Sequence, residues 1–134
     1  MYKKGGLALE YITVKEQGED FFIEKKSKFI GHCKPVKTES EALEFISEIK
    51  SKHADANHNV YAYILRENGT QRFSDDSEPQ GTAGIPVIDA LKKANIVDVV
   101  VVATRYFGGT LLGGGGLIRA YSHTASIAVE AAKK

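Results

Sequence analysis

Cysteine is nearly absent from this sequence, because Cys33 is the single example in 134 residues. One thiol forms no internal disulfide and supplies no zinc site built from several thiolates. Since Cys33 lies in the alternating stretch FIGHCKPV, we expect a small buried strand residue rather than a nucleophile. The cysteine content indicates a reducing compartment, so we expect a cytoplasmic protein.

Long apolar runs and an excess of one charge are missing too. No window approaches the ~20 apolar residues of a membrane span, and the first residues lack the apolar core of a secretory signal. Lys and Arg number 18 against 17 Asp and Glu, so a net charge of +1 gives no general attraction to nucleic acid. We therefore expect no membrane partner, and any basic site has to be local.

The composition is that of an ordinary globular domain, with 43% hydrophobic and 26% charged residues. No repeat, low-complexity tract or linker divides the chain, so residues 1–134 are expected to form a single domain. The first third predicts an antiparallel meander, because three stretches are rich in aromatic and β-branched residues. These stretches are residues 11–16, 20–26 and 27–36.

The rest of the chain predicts helices alternating with strands. A Thr-x-x-Glu capping box and apolar residues with helical period predict a helix over 39–52. Residues 58–66 and 70–74 alternate like two paired strands around a turn at Asn68-Gly69. Strands that precede a later α-β-α order predict an α+β fold of two layers, with the helices on one face of a mostly antiparallel or mixed sheet.

The second half contains the most regular pattern. Residues 81–94 predict a helix with Pro86 in its first turn. The run of Val and Ile at 96–103 predicts a strand that is buried on both faces in the middle of the sheet. A glycine-rich loop at 108–116 and a helix over 117–132 complete the chain.

The segment TRYFGGTLLGGGGLIRAYS is the strongest candidate for a binding site. Six glycines within residues 108–116 let the backbone approach a ligand closely, and a helix start offers unpaired N–H groups to an anion. Arg105 and Arg119 flank the loop and can bind a phosphate or carboxylate bidentately. Tyr106 and Phe107 offer rings for stacking. The glycines proposed for ligand contact are Gly108, Gly109, Gly114 and Gly115.

This loop lacks the known phosphate-loop signatures. No Gly-Lys-Ser/Thr closes it, and no Asp or Glu lies about 20 residues beyond it to hold a ribose. A nucleotide hydrolase or a dinucleotide enzyme is therefore not indicated. In the structural alternative, the glycines permit tight packing of the last helix and the aromatic rings fill the core.

A second candidate is the acidic segment RFSDDSEPQGTAG, which contains Asp75, Asp76 and Glu78. Three carboxylates so close in sequence can share magnesium or perform acid–base chemistry. Their spacing is not that of an EF-hand, so a turn-forming, helix-capping loop is favoured and no metal or cofactor is expected. If this loop and the arginines lie at the same end of the sheet, they pair with each other instead. The histidines lack zinc-enzyme spacing, and no catalytic residue is assigned.

Four segments in this order resemble the IMPACT/YigZ family: NVYAYIL, FSDDSEPQGTAGIPV, VVVVATRYFGG and LLGGGGLIRAYS. The resemblance extends from about Ser27 to Ala132. It implies a fold similar to the second domain of ribosomal protein S-five, a two-layer α/β sandwich with a left-handed β-α-β crossover that also occurs in translation factors.

The resemblance implies a role connected with translation. Eukaryotic members named IMPACT modulate the response to amino-acid starvation by competing for an activator of the kinase that phosphorylates an initiation factor. Bacterial members usually continue into a smaller ferredoxin-like domain and eukaryotic ones carry an amino-terminal RWD domain, and we expect neither of them within residues 1–134. By resemblance, the candidate surface residues are Asp75, Asp76, Glu78, Arg105, Tyr106, Arg119 and Tyr121.

We therefore expect a non-catalytic binding domain that contacts RNA, the ribosome or a translation-associated protein through the face of Arg105 and Arg119. One alternative is an enzyme that acts on a small phosphorylated or carboxylated substrate held by the glycine loop, with Asp75 and Asp76 holding a metal or working as acid and base. Another is a purely structural module. A closed pocket that joins the two loops favours the enzyme, and an open basic surface with exposed aromatic rings favours RNA.

Overall fold

The computed structural model describes residues 2–5 and 10–133. In this part the chain forms seven strands and three α-helices. They are β1 (Tyr2–Gly5), β2 (Glu10–Thr13), β3 (Gly18–Glu24), β4 (Ser27–Pro35), α1 (Glu39–Lys52), β5 (His58–Ile64), β6 (Gln71–Ser74), α2 (Gly84–Lys93), β7 (Val99–Tyr106) and α3 (Gly113–Ala132).

Five of the strands form one antiparallel sheet in the order β3-β4-β7-β5-β6. Because β4 and β5 both pair antiparallel with β7, they run parallel to each other on its two sides, and α1 connects them. In the same way β6 and β7 lie on the two sides of β5 and are connected by α2. The predicted α+β class with a mostly antiparallel sheet is confirmed.

The centre of the sheet is β7, whose residues 99–103 are fully buried. The residues that face α2 and α3 are Val99, Val101 and Ala103, and those that face α1 are Val100 and Val102. The predicted central strand is confirmed, although it runs over 99–106 rather than 96–103. The expectation that all helices share one face needs correction, because α1 lies on the face opposite to α2 and α3. A strand without polar alternation requires apolar cover on both faces, and α1 supplies the second cover.

The first helix begins and ends where its sequence signals predict. Thr38 Oγ1 accepts a hydrogen bond from the Glu41 amide at 3.2 Å, and Glu41 Oε1 accepts one from the Lys37 amide at 2.7 Å. The helix buries the apolar face Ala42, Phe45, Ile46 and Ile49. Both the predicted span of 39–52 and its cap are confirmed.

The strand β2 does not belong to the main sheet. It pairs with β1 in a separate two-stranded sheet, so the predicted meander is wrong for its first member, residues 11–16. The carbonyl of Ile12 accepts a hydrogen bond from Val97 at 2.9 Å, which holds β2 beside the segment that leads into β7. The other two predicted strands do form a hairpin, β3–β4.

The last helix starts at Gly113, four residues before the predicted start at Leu117. Glycine is a weak helix former, so local propensity predicts a loop over 108–116. Gly113–Gly116 instead form the first turn of a long helix whose stability comes from the packing of its later turns. The helix α2 lies within the predicted 81–94 and has Pro86 in its first turn, as expected.

The β5–β6 hairpin turns at Asn68 and Gly69, whose φ angles are 57° and 59°. Both residues tolerate this left-handed conformation, as the dipeptide predicts. Cys33 is buried in β4, and burial raises the pKa of its thiol, which keeps it unreactive. Among the described residues, no helix combines the length and apolar character that crossing a membrane requires.

Candidate functional site

Three segments meet around the glycine loop: the tip of the β3–β4 hairpin, the end of β7 and the start of α3. Gly108 marks the contact, because a Cβ atom built on it would lie 1.9 Å from the carbonyl oxygen of Lys26. The Gly108 amide also donates to Ser27 Oγ at 3.4 Å. The close approach of two backbone segments therefore requires glycine at position 108.

Arg105 points into the interior from the end of β7 and pairs with Glu78. Its Nη1 lies 3.1 and 2.9 Å from the two carboxylate oxygens of Glu78. Only 5% of Arg105 and 7% of Glu78 are exposed. Nε and Nη2 donate to Ser27 Oγ at 3.3 and 3.2 Å. This is the pairing between an arginine and the acidic loop that the sequence left open, and the guanidinium has its partners inside the protein.

Glu78 is the centre of a larger buried network. The hydroxyl of Tyr121 donates to Glu78 Oε2, and His58 Nε2 lies 3.4 Å from Oε1. Tyr121 is fully buried, and burial together with the negative charge of Glu78 raises the pKa of its hydroxyl. Tyr121, a candidate surface residue by resemblance, is thus an interior residue that joins α3 to the acidic loop.

The other two carboxylates of the acidic loop bind backbone amides. Asp75 accepts three hydrogen bonds of 2.8 to 3.2 Å from amides of residues 81–84 at the start of α2. Asp76 Oδ2 accepts one from the Asn59 amide of β5 at 2.6 Å. Asp75 therefore caps α2, in agreement with the helix-capping interpretation, and Asp76 attaches the loop to the sheet.

A pocket of about 420 Å³ lies between the tip of the β3–β4 hairpin and α3. It is lined by Phe22, Glu24, Lys25, Leu112, Gly116, Arg119, Ala120 and His123. The charged lining consists of two cations, Lys25 and Arg119, and one carboxylate, Glu24. The rings of Phe22 and His123 lie 4.7 Å apart and form an aromatic wall. A pocket of this volume can hold a small anionic group and part of a flat ring.

Arg119 extends back over the first turn of α3. Its Nη1 lies 3.4 Å from the place that a Cβ of Gly115 would occupy, so glycine leaves room for the guanidinium. The side chain of Leu112 has no oxygen atom to cap the helix, and the first turn has no acidic residue. The N–H groups of the helix start and the Arg119 cation therefore add to the same positive electrostatic potential. Arg119 makes no hydrogen bond or ion pair with another residue in the described ranges.

Tyr106 faces the side of the sheet opposite to Arg105, because side chains alternate along β7. Its hydroxyl donates to Asp55 at 3.0 Å and lies 2.7 Å from His53 Nδ1, which donates to it. Burial and the hydrogen bond to Asp55 raise the pKa of Tyr106. The structure thus places Arg105, Tyr106 and Arg119 in three different environments, and Arg119 alone of the three lines the pocket.

The hairpin tip is a feature that the sequence analysis missed. Lys25 and Lys26 have φ angles of 47° and 69° and form a two-residue turn between the paired residues Glu24 and Ser27. Such a turn favours Asn-Gly, and the left-handed conformation costs other residues about 1–2 kcal/mol each. The available signal was a short charged dipeptide between two strand patterns.

Replacing Gly108 by Ala is expected to lower the free energy of unfolding by about 1–3 kcal/mol, because the methyl group overlaps the Lys26 carbonyl. Urea denaturation followed by circular dichroism measures the loss. Gly114→Ala is the matched control, since a Cβ there meets nothing within 4 Å. Alanine at this helix position should stabilise by up to about 1 kcal/mol. Equal stability of Gly108→Ala and the unchanged protein would contradict the close contact at the tip.

Comparison with known proteins gives one consistent family. The family model described as Impact N-terminal domain matches residues 25–129. The Bacillus subtilis IMPACT family member YvyE is 52% identical over 117 residues, which cover 87% of this chain and 54% of that protein. The Escherichia coli member YigZ is 38% identical, and the match covers 72% of this chain and 49% of YigZ. Rattus norvegicus protein IMPACT is 33% identical, and the match covers 67% of this chain and 30% of that protein.

A solved structure supports the fold independently. The crystal structure of a hypothetical protein superimposes with a TM-score of 0.83 at 31% identity, covering 88% of this chain and 59% of that one. The chain spans about half the length of the bacterial relatives it matches.

Proposed function

Since the chain belongs to the IMPACT family, we propose that it is a non-catalytic binding domain in translation regulation whose Arg119 pocket holds RNA, free or within the ribosome. The connection with translation comes from the family. The choice of RNA comes from the chemistry of the pocket, since cations beside aromatic rings suit phosphates and bases.

The observation that carries this proposal is the contrast between the two arginines that flank the glycine loop. Arg105 is buried and paired with Glu78. Arg119 is exposed, lies over the uncapped start of α3 and lines a pocket together with Lys25. A chain with a net charge of +1 needs a local basic site to attract an anion, and this pocket is such a site.

An enzyme for a small phosphorylated or carboxylated substrate is the second candidate, because the volume of about 420 Å³ is that of a small-molecule site. The carboxylates proposed for its acid–base chemistry were Asp75 and Asp76. Both accept hydrogen bonds from backbone amides, and neither lines the pocket of Arg119. We therefore favour binding over catalysis.

Replacing Arg119 by Gln is expected to weaken binding of labelled single-stranded RNA about tenfold and to reduce the salt slope of the affinity by about 0.7, because one phosphate contact is lost. The fold should be unchanged, since Arg119 is exposed. Fluorescence anisotropy titrations at two salt concentrations and a thermal melt measure both quantities.

Arg72→Gln is the matched control. Arg72 is an exposed arginine on β6, at the edge of the sheet opposite to β3, so both variants lose one surface charge. Equal losses in the two variants would indicate general electrostatic attraction without a site. Full affinity of a folded Arg119→Gln protein would remove the pocket from the proposal.

A further inference from the structure

The tip of the β3–β4 hairpin has lysines where its conformation favours other residues. Lys25 and Lys26 both adopt positive φ angles, which Asn and Gly adopt at lower cost. Both side chains are exposed, so packing of the core does not explain them. Strain that persists at an exposed position motivates a function for the side chains themselves.

The tip is also fixed in place. The Lys26 carbonyl touches Gly108, and Ser27 Oγ accepts hydrogen bonds from Arg105 and from the Gly108 amide. The turn therefore cannot relax by moving away from the loop. Two lysines are held at a defined position between the two faces of the sheet.

On the α3 side of the hairpin, Lys25 lines the pocket that contains Arg119. On the other side, Phe21 and Ile23 face solvent with 55% and 59% of their surface exposed. Their side chains point away from Phe22, whose ring contacts His123 of α3. An aromatic ring and an aliphatic side chain therefore lie uncovered next to the lysine turn.

This exposed side of the hairpin is basic as well as apolar. Lys28 pairs with Ile23 across the hairpin, and its ammonium group lies 4.6 Å from the centre of the Phe21 ring. The helix α1 covers the part of this face around Val100 and Val102, and none of the described elements is packed on Phe21. A phosphate-binding cation thus lies over one face of a flat ring, and more than half of the Phe21 surface stays open to a ligand.

We infer that a single strand of RNA crosses the hairpin tip, from the Arg119 pocket over Lys25 and Lys26 to the ring of Phe21 beside Lys28. The inference rests on the proposed function, because the pocket holds one end of the strand. Cations outnumber carboxylates along the path. The carboxylates are Glu24 in the pocket and Glu19, which lies two residues before Phe21 on the same face of β3 and pairs with His32. Successive phosphates therefore meet a net positive charge.

The shape of the path favours a single strand over a duplex. The path bends around a turn of two residues, which a flexible strand can follow and a stiff helix cannot. Only a single strand has unstacked bases for the exposed Phe21 ring, and stacking on aromatic side chains is the common way in which proteins hold them.

The test uses oligouridylate of two lengths, a dinucleotide too short to reach from the pocket past the tip and a strand long enough to pass it. The tip variant Lys26→Gly keeps Lys25 in the pocket, and it should fold at least as stably as the unchanged protein, because glycine adopts the positive φ of position 26 at lower cost. It should bind the long strand about fivefold more weakly, with a salt slope reduced by about 0.7 for one lost contact, and should bind the dinucleotide normally. The ring variant Phe21→Leu stays apolar but loses the stacking surface, and should weaken the long strand about fivefold without affecting the dinucleotide.

The outcomes separate the two proposals. If Arg119→Gln weakens both strands while the tip and ring variants bind the long strand fully, the path is wrong and the pocket stands. If none of the variants changes binding, both proposals fail. If a duplex RNA binds as tightly as the long strand, and the tip and ring variants weaken it equally, the single-strand assignment is overturned. If the ring variant Phe21→Leu keeps full affinity for RNA but no longer co-sediments with ribosomes, the Phe21 face belongs to a protein partner instead.

Discussion

Replacing Arg105 by Met is expected to lower the free energy of unfolding by about 3–5 kcal/mol, because it leaves the Glu78 carboxylate buried without its counter-charge. Arg105 and Glu78 are 5% and 7% exposed, so water can compensate little of the loss. Tyr121 and His58 also touch Glu78, and neither replaces a permanent cation. Urea denaturation followed by circular dichroism gives the change directly.

A double-mutant cycle with Glu78→Gln supplies the control. Once the carboxylate is gone, removing Arg105 no longer strands a charge, so the double variant should be less destabilised than the sum of the single variants. If Arg105→Met folds with normal stability but loses RNA binding, the arginine serves a partner, as the sequence first suggested. Stability and binding measured on the same samples distinguish the two roles.

The parts of the fold that local signals determine could be predicted from the sequence. The capping residue Thr38, the apolar face and the basic last turn of the first helix all lie within residues 38–52. The β5–β6 turn follows from Asn68 and Gly69, and the central strand follows from an unbroken run of Val. In each case the residues that decide the conformation lie within one short segment of the chain.

The parts that depend on distant contacts could not be predicted. The pattern of α1 shows an apolar face but not the side of the sheet on which it packs. The start of α3 at Gly113 runs against glycine propensity, because the packing of later turns such as those of Tyr121 and Ala125 outweighs it. The pairing of β2 with β1 rather than β3 likewise depends on contacts far along the chain, such as that between Ile12 and Val97.

The candidate site shows the same division. Sequence reading selected both loops and held open a pairing between them, and the structure contains it as Arg105 with Glu78. It could not distinguish Arg105 from Arg119, because burial depends on which way each side chain leaves its element. Lys25 and the ring of Phe22 were missed, since their position next to α3 arises only when the hairpin folds onto that helix.

Substitution of Val101 by Asp is expected to abolish folding at neutral pH. Val101 is fully buried, and its neighbours across the sheet are Cys33 and Ala62, which offer a carboxylate no partner. Keeping an acid protonated at about pH 7, when its usual pKa is about 3.9, costs about 4 kcal/mol before the burial of the polar group is counted. A small domain has about 5–15 kcal/mol of stability in total, so little or none remains.

Val101→Asn is the matched control, because the Asn side chain has nearly the same shape as that of Asp and no charge. Burial would raise the folded-state pKa of the introduced carboxyl above its unfolded value, so the extra penalty of Val101→Asp grows as pH rises and disappears near about pH 4. The two variants should therefore have similar stability in acid and diverge toward neutral pH. Circular dichroism and amide exchange check this, since Val99–Val102 should exchange slowest in the unchanged protein. A Val101→Asp chain that keeps slow exchange there at neutral pH would contradict the central, doubly covered position of β7.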